Sequence, residues 1–507
     1  MLGTKSFKIL AMALVISVVV SVCGAFLFAN KTTQTETPKE IFVSAMTEYN
    51  NTNYRQSHDL FMNSYRGYTN ASDPSNAWNA LQWAIKAERV PLEYPYNLSQ
   101  ATEVLKQGFP ACDNSTIFAW LDSPNTEKIM CDGEYRYFLD ATANFRFRNS
   151  TLLRGFSESL GLNPLYDSLA PIVWGNASAA GPYFNPGTYE VRGSMDLQRS
   201  LLPQNGTLQL WIPTPVNTMS QRNISVDVTP SQYVVQWPDF GNDMGMIYME
   251  IPMEGMTADL NVSVVYTFTT YQQDFVVDPS NVGAYDRSSA EYLKYTASTG
   301  NTLITPEISA LGHAIVGNES NPYLKARLIY DYVVKNYLYS HVPHLTLNTL
   351  GIPESVYVYE HGYGDCGAQS IFFSALCRSV DVPARSCGGF QMIPGFSGPH
   401  FWAEFMLPNY GWLPADVTVA ETADWTYNQS EQNMTEFKAF FFGHLDPYRF
   451  VIQVDVDEPL VPGEGNVTII RMVHQSATAK CLTSDQDMDA IIATAFVFTL
   501  SEGHAPA

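Results

Sequence analysis

Between Gly364 and Val417 the hydrophobic period of the chain changes from helical to alternating, and that change constrains the fold more than any other feature. After Cys366, Ala368, Ile371, Phe372, Ala375 and Leu376 recur at intervals that place them on one buried helical face. Val382-Pro383-Ala384-Arg385 then breaks out into a strand, and Gly388, Gly389 and Pro394-Gly395 make a loop. From His400 the period is two: Phe401, Ala403, Phe405 and Leu407 point one way, His400, Trp402 and Glu404 the other. A turn at Pro408-Asn409-Tyr410 leads into a second strand, Gly411 to Val417. With a loop of three residues, Leu407 opposes Gly411 and Asp416 opposes Trp402. Asp416 then shares a face with His400, one diagonal step away. A slip of one residue would send Asp416 to the opposite face.

This pattern offers a thiol, an imidazole and a carboxylate in the order Cys366, His400, Asp416, the parts of a nucleophile, its base and the group that orients the base. Cys366, flanked by Gly364 and Gly367, falls in the first turn of its helix. Unpaired N–H groups and the positive end of the helix dipole favour a thiolate there and can hold an oxyanion. The alternative is a buried structural cysteine, with His400 a satisfied core histidine.

The motifs Gly364-Asp365-Cys366, Asp381-Val382-Pro383-Ala384-Arg385, His400-Phe401-Trp402-Ala403-Glu404 and Gly411-Trp412-Leu413-Pro414-Ala415-Asp416 resemble the pattern of the transglutaminase-like superfamily, whose core is similar to that of papain-type cysteine peptidases. The resemblance covers about fifty residues and implies Cys366 as nucleophile, His400 as general base and acid, and Asp416 as orienter. Asp381 stands where the family usually has Gly, a position after a helix that Asp tolerates in the left-handed conformation. Val417 stands where Pro is common. The superfamily does not fix the reaction: an acyl-enzyme on Cys366 can pass to water or to an amine. No calcium loop of the D-x-D-x-D-G type is recognisable, so the expectation is hydrolysis of peptide, isopeptide or amide bonds rather than calcium-regulated crosslinking. Trp402, Trp412 and Tyr363 are candidates to wall an acyl-binding cleft, with core packing as their other role.

The expected fold class is multidomain α+β: a transglutaminase-like, papain-like core preceded by a β-sandwich and an N-terminal helical domain, with an N-terminal transmembrane helix. Lys5 and Lys8 precede an unbroken apolar run from Ile9 to Ala29, long enough to span a bilayer, with no A-x-A site after it. Residues 1–8 read as a cytoplasmic stub and 9–29 as an anchor, or a signal if cleaved. Residues 30–40, Thr-rich with Pro38, read as a linker. Helical spacing through Ala45, Tyr49, Tyr54, Phe61, Trp78, Leu81, Ala84 and Ala87 predicts a helical domain over 41–180, with Asp73-Pro74 opening a helix. Short alternating runs punctuated by Gly, Asn and Pro predict a β-sandwich over 181–282. The catalytic core is assigned to 283–455 and a C-terminal β extension to 456–507.

Fourteen acceptor sequons, from Asn30 to Asn466, are far more than chance would give, and they point to a glycosylated ectodomain outside the cytoplasm. In that setting Cys112 and Cys131 are a tentative disulfide. Cys366, Cys377, Cys387 and His400 are too unevenly spaced for a zinc site, and the Pro in His341-Val342-Pro343-His344 argues for a turn, so no metal and no cofactor are expected. Acidic residues outnumber basic ones, 50 to 28, and no basic stripe stands out, which argues against nucleic acid as a partner. The expected partners are the membrane, through the N-terminal helix, and a surface protein or wall peptide as substrate. A non-catalytic surface scaffold or adhesion protein with a relic core is the reading from another class.

Overall fold

The computed structural model describes residues 36–175, 181–394, 396–463 and 475–501. The expected anchor at 9–29 lies outside these residues, and no helix among them is long and apolar enough to cross a membrane. The chain divides into two compact units, 1–84 and 85–507.

In the first unit, helices α1 (Pro38–Asn50) and α2 (Tyr54–Asn70) form a hairpin. Thr37 opens α1 with a capping box: its hydroxyl accepts from Glu40 N at 3.3 Å, and the Glu40 carboxylate accepts from Thr37 N at 2.8 Å. Tyr49 meets Tyr54 edge to face, and the buried Ser57 hydroxyl donates to Ala45 O. Helix α3 (Pro74–Glu93) begins after Asp73, as expected, and contributes residues to both units.

The second unit starts with helices α4 (Leu98–Gly108), α5 (Asn114–Asp122), α6 (Ala141–Phe147), α7 (Ser150–Leu160) and α8 (Pro164–Val173). Helical spacing predicts a wholly helical stretch here. A hairpin of β1 (Lys128–Cys131) and β2 (Glu134–Tyr137) interrupts it, because Asp132-Gly133 adopts positive φ at both positions, the geometry of a tight two-residue turn. The tentative Cys112–Cys131 disulfide is not present in the structure: Cys131 is buried at the end of β1 with its sulfur 3.8 Å from the Asp132 carboxylate, and Cys112 packs against the α4–α5 cluster.

Six strands follow: β3 (Tyr183–Leu197), β4 (Thr207–Thr214), β5 (Gln221–Thr229), β6 (Val234–Gln236), β7 (Gly245–Pro252) and β8 (Leu260–Asp274). Strands β3, β5 and β8 belong to one antiparallel sheet, β4, β6 and β7 to another. Leu210, Ile212, Ile247, Val264, Tyr266 and Phe268 share one apolar layer. Past the core, β16 (Thr478–Lys480) adds to β4 and β17 (Val497–Ser501) adds to β3, with helix α17 (Met488–Ala495) between them.

The core is built on helix α14 (Cys366–Ser379) and a sheet in the order β13 (Gly411–Ala415), β12 (Phe396–Leu407), β11 (Ala384–Ile393), β15 (Arg449–Val454). Residues 367–378 of α14 are all buried. Around it stand α9 (Ala290–Thr296), α10 (Pro306–Val316), α11 (Pro322–Asn336), α12 (His344–Leu350), α13 (Glu354–His361), α15 (Val417–Glu421) and α16 (Glu431–Phe440), the short parallel pair β9 (Leu338–Tyr339) and β10 (Tyr363–Gly364), and β14 (His444–Leu445). Asp381, after α14, is left-handed at φ 67°, as its place demanded. The β12–β13 hairpin has the expected register: Leu407 opposes Gly411 and Ala403 opposes Ala415. Arg378, fully buried on α14, donates bidentately to Asp455 at 3.0 and 2.9 Å and ties the helix to the end of β15.

Candidate active site

Cys366 is the first residue of α14. Asp365 caps that helix, its Oδ1 accepting from Ala368 N at 2.9 Å. The other carboxylate oxygen lies 2.6 Å from His344 Nε2, and His344 Nδ1 lies 2.8 Å from Glu354 Oε1. The two flanking carboxylates outweigh burial and raise His344 well above the ordinary imidazole range. His344 thus holds the cap in place, and His341 pairs with Asp140 at 3.0 Å, which accounts for both histidines of the His-Val-Pro-His turn. Among the described residues no group of three or more His, Cys, Asp or Glu is arranged to hold a metal.

The first intrahelical bond of α14 runs from Gln369 N to Asp365 O, so the N–H groups of Cys366 and Gly367 precede the helical ladder. The expected depression of the thiol pKa is not what the surroundings give. Burial pushes Cys366 up, and the Asp365 carboxylate adds to it; the N–H groups of Phe401 and Gly367 pull the other way and do not compensate.

His400 lies in β12 and Asp416 immediately after β13. His400 Nε2 and Asp416 Oδ2 are 2.8 Å apart, and both residues are buried. Donation from Nε2 to the carboxylate leaves Nδ1 as the basic nitrogen. Asp416 also caps α15, Oδ1 accepting from Val419 N at 3.0 Å. A further group joins from β15: Arg449 Nη1 donates to Asp416 Oδ2 at 2.7 Å, and its other nitrogens bind Asp446. Burial alone would raise Asp416, but His400 and Arg449 outweigh it and hold the carboxyl well below the ordinary range.

Cys366 and His400 line one cavity of about 220 Å³ together with Tyr339, Gln391, Phe147 and Trp425. A second cavity of about 670 Å³ meets it at Cys366, Tyr339 and Pro399 and carries Glu93, Leu345, Glu354, Asp365 and Phe401 on its walls. The aromatic wall is Tyr339, Phe147 and Trp425, whose ring centroids lie 4.9–5.6 Å apart.

The three aromatics expected to wall an acyl cleft are elsewhere; none is among the residues lining either cavity. Trp402 is fully buried beneath Arg449, whose guanidinium lies 5.3 Å from the ring centre. Tyr363 is buried against Arg148 at 4.4 Å. Trp412 carries Arg385 at 3.9 Å and donates to Glu291. Each satisfies a cation or a core position, which is why it is aromatic. Arg449, Tyr339, Phe147 and Trp425 were not singled out from sequence. They come from four separate segments, and only Asp446…Arg449, an acid three residues before a base, carried a local sign of pairing.

The helix-start thiol of Cys366 thus shares a cavity with a histidine that is paired with Asp416 on the neighbouring hairpin. Residues 309–417 match the family model described as the transglutaminase-like superfamily, so this segment is a transglutaminase-like core. The chain is 26% identical over 265 residues to an uncharacterized protein of Haemophilus influenzae, covering 45% of this chain and 68% of that protein. Among solved structures it is similar to a suspected cysteine protease from Cytophaga hutchinsonii, with a TM-score of 0.38 and 14% identity over 63% of this chain and 92% of that one. It is also similar to the periplasmic domain of TgpA from Pseudomonas aeruginosa, with a TM-score of 0.24 and 12% identity over 52% of this chain and 99% of that one.

Proposed function

We propose that this chain is a thiol enzyme of transglutaminase-like type, acting through Cys366, His400 and Asp416 on peptide, isopeptide or amide bonds of surface proteins or wall peptides, with water as the acyl acceptor. The observation that carries the reading is the 2.8 Å contact of His400 Nε2 with Asp416 Oδ2 in a residue that shares a cavity with the helix-start thiol.

The thiol enters the reaction protonated, because burial and Asp365 disfavour the thiolate. His400 Nδ1 takes the Sγ proton as sulfur bonds to the acyl carbon. The N–H groups of Cys366 and Gly367 stabilise the oxyanion. The imidazolium, held by Asp416, returns the proton to the departing amine as the C–N bond breaks and a thioester remains. Water then attacks the thioester with His400 again as base, releasing the acid and restoring the thiol. The sequons and the apolar run at 9–29 support a place for this reaction outside the cytoplasm, on a membrane anchor.

Mass spectrometry of surface peptides treated with the wild-type chain and with Cys366→Ala tests the reading. New carboxyl termini or loss of ammonia with the wild type alone is the expected result. Identical peptide sets would overturn it.

A further inference from the structure

Among the buried polar side chains that the mechanism above leaves unused are Gln369 and Glu421. Gln369 lies one turn beyond Cys366 on α14, and Glu421 ends α15, the helix capped by Asp416. Both are almost fully buried, at 0% and 3% exposure. Gln369 Nε2 donates to Glu421 Oε2 at 3.2 Å and to Gly364 O at 3.0 Å, so it spans the approach to the cap of the Cys366 helix and the far end of the Asp416 helix. Two oxygens remain without any donor: Gln369 Oε1 and Glu421 Oε1. A buried acceptor with no donor is costly, and two in one pair mark a missing proton.

Resting on the assignment of Cys366 and Asp416 above, we propose that Glu421 is a positioning residue that works as the neutral acid, its proton completing a two-way pair with Gln369 and fixing the Cys366 helix against the Asp416 helix.

The surroundings agree. Burial pushes the Glu421 carboxyl well above its ordinary range; the Gln369 amide lowers it, and the charges of Asp424 and Asp416 raise it again. The cation facing it, Lys438, is engaged by both oxygens of Asp424 at 2.6 and 2.7 Å. The other titratable groups that feel Glu421 are the phenols of Tyr339 and Tyr330. An ionised Glu421 would therefore meet two like charges, lose its donor and loosen the contact between the helices. The group's folded-state value lies above its unfolded one, so its contribution to stability is complete below the ordinary carboxyl range and is lost as pH rises through the folded-state value.

The test uses the full chain, p-nitrophenyl acetate as acyl donor and infrared difference spectroscopy. Glu421→Gln keeps the shape and supplies a permanent donor. At pH 7 the wild-type-minus-Glu421→Gln spectrum should show the carbonyl band of a protonated carboxylic acid. Acylation by Glu421→Gln at pH 6 should stay within about threefold of the wild type, and the alkaline fall in its rate should move up by more than about one pH unit. Glu421→Ala should lose about tenfold or more at every pH. Absence of the band, or an unmoved alkaline limb in Glu421→Gln, overturns the proposal; a change in melting temperature without a change in the pH profile does the same. Cys366→Ala separates the two ideas: if it still acylates, the assignment of the nucleophile has failed, whereas loss of acylation with an unaltered Glu421→Gln profile rejects the role of Glu421 alone.

Discussion

Arg449 Nη1 and His400 Nε2 meet on the same oxygen of Asp416, at 2.7 and 2.8 Å. One carboxylate thus anchors a cation from β15 and an imidazole from β12, and the cation is locked in turn by Asp446. Replacing Arg449 by Met strands two buried acids. Removing one partner of a buried pair costs roughly 3–5 kcal/mol, so the variant should melt well below the wild type. The Asp416 carboxyl is held below its unfolded value, so its stabilising contribution is present above that value and lost as pH falls through the folded-state one. Without Arg449, acid unfolding followed by circular dichroism should begin at higher pH. An unchanged acid midpoint would refute this account of the arginine.

Asp416→Asn keeps a side chain that can still cap α15 but reverses the bond to His400 and favours the wrong tautomer. Acylation by p-nitrophenyl acetate should fall by roughly 10³–10⁴-fold, and because Arg449 loses one of its two carboxylates the variant should also melt below the wild type. A loss under tenfold would show that Asp416 does not orient the base.

Because the Cys366 thiol is raised by burial and then by Asp365, iodoacetamide should label it more slowly than a free thiol at pH 7, with the rate climbing toward alkaline pH. Asparagine caps a helix as well as aspartate does. Asp365→Asn should therefore move the labelling profile to lower pH by removing one adverse charge. A profile that stays put would mean the carboxylate does not act on the sulfur.

The tryptophan beneath Arg449 is a packing residue. Trp402→Ala should cost roughly 3–5 kcal/mol in urea unfolding. In Trp412→Phe, which keeps a ring under Arg385, KM for an acyl donor should remain near the wild-type value. A KM rise of tenfold in the latter would restore Trp412 to the binding site.

Much of the core could be read from the chain because its signals are local. The helical face after Cys366, the alternation from His400 and the three-residue turn fix both periods and register, and these put Asp416 beside His400. The Asp132-Gly133 turn was also legible but lay in a stretch dominated by helical spacing. What could not be read depends on groups that meet only after folding. Arg449 reaches Asp416 across the sheet, and Tyr339, Phe147 and Trp425 assemble a wall from three parts of the chain. The thiol's charge preference is hidden for a related reason: the dipole at the helix start is visible in sequence, but burial and the orientation of Asp365 are not. Aromatic residues beside a motif read as cleft walls in sequence alone, whereas in the fold Trp402 and Trp412 serve as platforms for arginines on neighbouring strands.

The pairing of β17 with β3 joins residues near 497–501 to residues near 190–194. On a ribosome, β3 emerges some three hundred residues before its edge partner. Until then one margin of that sheet offers unpaired backbone groups to any extended segment nearby. Such long-range closure is slow and leaves the nascent chain open to misassembly. Loss of β17 would leave Cys366, His400 and Asp416 in place yet return the sheet to that unfinished condition, so the yield of properly assembled chain rests on the strand Val497–Ser501.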